Sequence, residues 1–159
     1  MREIYERLNI GSERDCFVDR EGWAVVHACK HPCHQGAVGY RGSLPSSHPH
    51  YLVLERGNNL FLNMIDPPKP LFKLELFRAF LDFAGRHWDV GDNLLIHCNL
   101  GDSRAPSLGL VFLAKHVGVL PDDSYELAAQ EFRNLAGVYR PSAGIRTYLS
   151  RHWGELAPA

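Results

Sequence analysis

Residues 94 to 118 constrain this chain more than any other stretch. Leu94, Leu95 and Ile96 form an apolar run that reads as a buried strand. His97-Cys98 ends it, Asn99-Leu100-Gly101-Asp102-Ser103 follows, and from Arg104-Ala105-Pro106 the residues favour a helix that Gly118 stops. A loop at the carboxyl end of a strand, running into a helix, lies where open α/β sheets bind ligands. Its spacing is also chemical. Between Cys98 and Arg104, five residues can turn their N–H groups inward as an anion nest. The helix behind them points its positive end at the same place, and the Arg104 guanidinium can fork onto two oxygens. Such a socket suits a tetrahedral dianion. Its positive field favours the thiolate of Cys98, and a thiolate beneath a bound phosphate is a nucleophile for phosphoryl transfer.

The rest of the chain alternates between strand and helix patterns. Strands are expected over Ile4–Ile10, closed by Gly11-Ser12, over Trp23–Ala28, over Tyr51–Glu55 and over Leu60–Ile65. The last two are joined by the turn Arg56-Gly57-Asn58-Asn59 as a hairpin. Leu71–Trp88 reads as a helix, with Leu74, Phe77, Leu81, Ala84 and Trp88 on one stripe and Leu76, Phe80 and Phe83 on a second. Further helices are expected over Pro106–Val117, over Ser124–Ala136 with Asp122 or Asp123 as its cap, and from Ser142 through Trp153.

Composition sets outer limits. The chain has 159 residues, 45% of them hydrophobic, enough for one domain over residues 1–159 with a single core. A net charge of -1 gives no electrostatic case for nucleic acid or an acidic membrane surface as a partner. No apolar run approaches a membrane span, and Met1-Arg2-Glu3-Ile4-Tyr5-Glu6 does not read as a signal peptide. Four cysteines without a secretory leader point to reduced thiols in a cytoplasm. No cofactor is expected.

His97-Cys98, five residues and Arg104 match the His-Cys-x5-Arg signature of the cysteine-dependent protein tyrosine phosphatases. With Gly101 and Ser103 in place, the loop most resembles the small dual-specificity branch. The resemblance extends to the flanks. Leu8-Asn9-Ile10-Gly11-Ser12 looks like that branch's opening strand, and Tyr139-Arg140-Pro141-Ser142-Ala143-Gly144-Ile145 like its turn into the last helix. It implies an α/β fold with a central, mostly parallel sheet flanked by helices on both faces. It also implies Cys98 as nucleophile and Asn99 to Arg104 as the phosphate loop, with His97 ordering that loop and helping to keep Cys98 ionised.

The same resemblance implies a general acid on an earlier loop, because the leaving oxygen needs a proton. Asp66 lies 32 residues before Cys98, at the end of the apolar run Leu60–Ile65 and ahead of Pro67-Pro68. Asp89 and Asp92 suit the role less. They open the strand that ends at Cys98, and five extended residues put them roughly 16 Å away. In the family a Ser or Thr usually follows the arginine and eases departure of the thiolate. Here that residue is Ala105, so slow hydrolysis of the phosphoenzyme is expected. Phosphatases of regenerating liver also read Arg-Ala-Pro there.

His27, Cys29, His31, Cys33 and His34 place five potential metal ligands within eight residues. No second Cys/His cluster follows to complete a zinc site, so none is expected. By resemblance, Cys29 occupies the position where some family members keep a redox partner that forms a reversible disulfide with the nucleophile.

The loop interior carries no Lys or Arg and includes Asp102, which disfavours polyanionic lipids. A phosphorylated protein or peptide is the expected partner, with phosphotyrosine first and phosphoserine or phosphothreonine also open. The polar stretch Gln35–His50, with Tyr40, Arg41, His48 and His50, reads as a surface loop. A sulfurtransferase or arsenate reductase chemistry, and a phosphate-binding module without turnover, remain as alternatives.

Overall fold

The computed structural model describes residues 1–159. Six strands form one sheet: β1 (Arg2–Tyr5), β2 (Leu8–Gly11), β3 (Trp23–His27), β4 (Val53–Arg56), β5 (Asn59–Leu62) and β6 (Asn93–His97). Their order is β1-β2-β6-β3-β5-β4. The four inner strands run parallel, while β1 and β4 pair antiparallel with β2 and β5 at the edges. β6 therefore lies between two parallel neighbours, and its carboxyl end opens in the middle of the sheet's edge.

Side chains alternate across a strand, and here both sets are buried, as a parallel sheet requires. Leu8, Ile10, Ala24, Val26, Leu60, Leu62, Leu94 and Ile96 join one large core. Helices α2 (Leu74–Asp89), α3 (Arg104–Phe112, continued by a wider turn through Val117), α4 (Tyr125–Ala136) and α5 (Ala143–His152) complete it. Phe77, Phe80, Phe83, Phe112 and Phe132 are fully enclosed there. Each contributes about 1.5–3 kcal/mol by leaving water. The opposite face carries His27, Asn59 and Phe61. It is covered by residues 16–19, the helical turn Lys30–His34 and the short α1 (Gln35–Val38). Helices thus flank both faces unequally: long ones build the core and a short one roofs the other side.

Several local expectations change. Residues 4–10 are two strands rather than one, because Glu6 takes φ +35° and reverses the chain. Ile4, Leu8 and Ile10 are all buried. Their even spacing fits one continuous strand, and it equally fits a tight hairpin with both arms facing the same core. The long helix begins at Leu74 instead of Leu71. Phe72 stays outside it and packs on Phe77, at 6.2 Å between ring centroids, as a hydrophobic staple across the helix start. Ser124, not Asp122 or Asp123, caps α4 by accepting the Leu127 N–H. Asp122 instead pairs with Lys115. Pro106 falls inside the first turn of α3, where a missing N–H costs nothing. No helix is long and apolar enough to cross a membrane.

Candidate active site

β6 delivers Cys98 just past the last ladder residue, and the thiol is 2% exposed. Its sulfur accepts two backbone hydrogen bonds, from the N–H of Gly101 at 3.3 Å and of Ala105 at 3.4 Å. Both groups point inward because the loop curls back on itself at Gly101, whose φ is +81°. A Cβ there would stand 2.9 Å from the Gly11 carbonyl oxygen, so only glycine lets the loop lie against the end of β2. The first turn of α3 closes the ring behind the sulfur, and its positive end faces the same point.

Arg104 is 9% exposed and held from two sides. Its Nη1 donates to the Met64 carbonyl at 2.9 Å, and its Nη2 to Asn99 Oδ1 at 2.7 Å. Asn99 uses its side chain as a bracket: Nδ2 donates to Glu13 Oε2 at 2.8 Å and to the His31 carbonyl at 2.9 Å. Its own carbonyl accepts the Glu13 N–H. Ser103 is buried and accepts the Ser142 N–H at 2.9 Å, and the Asp102 carbonyl accepts from Arg140 N–H. Leu100 stands out at the rim, 79% exposed.

Asp66 follows the extended continuation of β5 and lies beside this loop. Its Oδ2 accepts from Ser142 Oγ at 2.8 Å, and Ser142 N–H is the donor that reaches Ser103. Ser142, expected as a helix cap, makes no capping bond and ties the acid to the loop instead. The contact is close because of Gly144. A Cβ there would fall 2.2 Å from the Pro67 carbonyl oxygen and 2.3 Å from that of Lys69. Asp89 and Asp92 are engaged elsewhere, by His116 and His87.

Only two buried side-chain polar atoms in the chain lack a partner, Asp66 Oδ1 and Arg104 Nε. Buried polar groups are almost always paired, and both exceptions belong to residues singled out from the sequence.

Behind the loop, His97 is fully buried. Its Nδ1 lies 3.2 Å from the Cys98 carbonyl oxygen and its Nε2 2.8 Å from His27 Nδ1. His27 in turn contacts Asn59 Oδ1 at 2.9 Å, and Asn59 donates to the Val18 carbonyl. Burial opposes the His97 charge, but Cys16, Cys29 and the Cys98 carbonyl together raise its pKa. Hydrogen bonds to Cys33, His27 and His97 pull the Cys16 thiol far below its ordinary range, while Cys33 is pushed up by its two cysteine neighbours.

The run of potential ligands from His27 to His34 is therefore split. His27 and Cys33 converge with Cys16 and His97, two residues outside it, whereas His34 pairs with Tyr40 and the His50 carbonyl and His31 with Gln35. The missing second segment consists of single residues, a signal that no spacing pattern in the sequence carries. Cys29 is fully buried, and a hydrogen bond with Cys33 lowers its thiol to about 7 against the cost of burial. All four cysteines are free thiols.

No family model and no curated protein sequence matches this chain. Solved structures match it along nearly its whole length. Human tyrosine phosphatase-like serine/threonine/tyrosine-interacting protein aligns with TM-score 0.65 and 18% identity, covering 96% of this chain and 95% of that one. Human DUSP28 gives the same four values. PTPMT1, solved in complex with PI(5)P, aligns with TM-score 0.63 and 12% identity over 98% and 95%. At these identities the likeness is one of fold.

Proposed function

We propose that this chain, whose fold is that of the dual-specificity phosphatases, hydrolyses phosphate monoesters on proteins through Cys98. The observation that carries the reading is the pair of unpartnered buried atoms. Arg104 Nε is a donor for which a phosphoryl oxygen is the natural acceptor. Asp66 Oδ1 is where a general acid would carry the proton for a leaving oxygen. Each would be satisfied by a bound phosphomonoester.

The N–H groups of Gly101 and Ala105 already point at the Cys98 sulfur, and hydrogen bonds to a charged acceptor contribute about 1.5–3 kcal/mol each. In the first step the thiolate attacks phosphorus, the S–P bond forms, and the P–O bond to the leaving group breaks as Asp66 protonates that oxygen. Arg104 and the loop N–H groups hold the three equatorial oxygens, whose charge grows in the transition state. In the second step the Asp66 carboxylate takes a proton from water. The oxygen of that water attacks phosphorus, and the S–P bond breaks to return the thiolate and free phosphate. His97 acts by holding the Cys98 carbonyl.

A loop interior without Lys or Arg offers a second phosphate nothing to bind, which favours a phosphorylated side chain over a phosphoinositide. Cys29 keeps its place as candidate redox partner for Cys98. Mild peroxide followed by mass spectrometry should give a Cys29–Cys98 disulfide, and a Cys98 sulfinic acid with Cys29 free would contradict that role.

Rapid acid quench during turnover of a phosphotyrosine peptide tests the mechanism. Phosphate is expected on Cys98, with turnover of the peptide exceeding that of a phosphoinositide. Turnover without phosphocysteine would point to another chemistry.

A further inference from the structure

On the face of the sheet opposite the large core, four ligating atoms meet directly behind the Cys98 loop. Cys16 comes from the segment after β2, His27 from the end of β3, Cys33 from the helical turn after β3, and His97 from the end of β6. All four atoms lie within 4.8 Å of one another. Nothing in the proposed phosphatase chemistry uses Cys16, His27 or Cys33.

The two histidines are oriented from behind. Asn59 spends its amide N–H on the Val18 carbonyl at 2.7 Å, so its oxygen faces His27 Nε2 at 2.9 Å and fixes the proton on that nitrogen. The Cys98 carbonyl can only accept, so the His97 proton at that contact resides on Nδ1. His27 Nδ1 and His97 Nε2 are then left with bare lone pairs aimed at each other across 2.8 Å. Two lone pairs at that separation repel unless a cation lies between them. A proton would serve the pair of nitrogens but leave both sulfurs idle beside them. Cys16 Sγ is 3.5 Å from His27 Nδ1, and Cys33 Sγ is 3.9 Å from His97 Nε2. In a tetrahedral zinc site with ordinary bond lengths, ligand atoms stand about 3.3 to 3.8 Å apart. The two cysteine–histidine separations lie in or just beyond that range, and the histidine pair needs to open by about half an ångström.

We infer that Cys16, His27, Cys33 and His97 form a tetrahedral Zn(II) site. Two thiols lose their protons to water on binding, and the two thiolates neutralise the ion. A Cys2His2 set of nitrogen and sulfur donors selects zinc over calcium or magnesium. Four protein ligands leave no open position, so the ion is structural. Both histidines already carry the outer hydrogen-bond partner that metal-ligating imidazoles need. Cys16 is exposed, and a cavity of about 580 Å³ lined by Cys16, His27 and Cys33 gives the ion a route in.

The consequence reaches the phosphate loop. Zinc would fasten the segment that carries Glu13 and the turn that carries His31 to the ends of β3 and β6. Those two segments are the ones that hold the Asn99 side chain, and Asn99 holds Arg104. Metal binding itself stands whether or not Cys98 turns over phosphate.

The test is metal analysis of the native chain, purified without chelator and dialysed against metal-free buffer, followed by Co(II) titration of the apoprotein. One equivalent of zinc is expected. Cobalt should give thiolate-to-metal charge transfer and the intense d–d bands of a tetrahedral site. Cys16→Ala and Cys33→Ala should each lose the stoichiometric zinc while keeping the native far-UV circular dichroism. Should either variant fail to fold, the native Co(II) spectrum decides alone. Folded native protein that holds no zinc, or a cobalt complex with octahedral bands and no thiolate charge transfer, would overturn the site and leave a proton between His27 and His97.

Discussion

Ala105 donates its N–H to the Cys98 sulfur and brings no hydroxyl to it. In the second step of the proposed mechanism the thiolate is the leaving group. Only the N–H groups of Gly101 and Ala105 then share its returning charge. Phosphate release is therefore expected to limit turnover. Stopped-flow measurement of the native protein should show a burst of released alcohol about equal to the enzyme concentration, and Ala105→Ser should remove the burst and raise kcat. A native protein without a burst would contradict this. At Gly101 the constraint is steric. An alanine there meets both a left-handed φ and the Gly11 carbonyl, so Gly101→Ala should cost about 1–3 kcal/mol in stability. Phosphate affinity should fall with it, as read by thermal melting with and without phosphate. Cys98 and Arg104 were legible as candidates because an anion socket fixes their spacing, and Asp66 because the family resemblance points to an acid on an earlier loop. The bracing contacts of Asn99, Ser142 and the Met64 carbonyl were not. They are hydrogen bonds between segments distant in the chain, and no local pattern encodes such contacts.

At the scale of elements, the start of α5 sets where Asp66 stands. Gly144 lets the helix touch the carbonyls of Pro67 and Lys69, and Ser142 reaches the Asp66 carboxylate. Gly144→Ala should push the acid loop outward. Activity is expected to fall about tenfold or more, part of the roughly 10²–10⁴-fold that a positioned general acid contributes, and the loss should be steeper for a peptide phosphotyrosine than for p-nitrophenyl phosphate, whose leaving group needs little proton. Equal losses on both substrates would argue against a displaced acid. A second element is held by His34, which joins the turn after β3 to Tyr40 and the His50 carbonyl. Burial lowers its pKa below the usual 6.5 despite the bond to that carbonyl. The unfolded chain therefore binds a proton that the folded one refuses, and stability rises with pH across that window. His34 contributes fully above pH 6.5 and progressively less as pH drops below it. Melting temperature against pH should show this fall, and His34→Asn should flatten it; an unchanged slope would contradict the assignment. The helices were readable from their apolar stripes, whereas the hairpin at Glu6 was not. A single left-handed residue reverses the chain there while the apolar spacing runs on undisturbed.

For the whole molecule, the sheet order matters more than any one element. Placing β6 between β2 and β3 brings Gly11 and Glu13, His27 and His31, and the Cys98 loop to one edge. The alternation of strand and helix made an α/β sheet legible, but the order of the strands follows from long-range packing that one sequence does not display. The same dispersal hid the four ligating residues behind the loop. It also makes the central claim open to a direct test, because Cys98 and Asp66 come from different strands and are asked to do different chemistry. Phosphate release from p-nitrophenyl phosphate and from a phosphotyrosine peptide should be measured for the native protein, Cys98→Ser and Asp66→Ala. Cys98→Ser is expected to abolish turnover of both while still binding phosphopeptide. Asp66→Ala should lower turnover of the peptide by about 10²–10⁴-fold. Native protein that binds the phosphopeptide without releasing phosphate, or turnover that survives the loss of Cys98, would contradict the account.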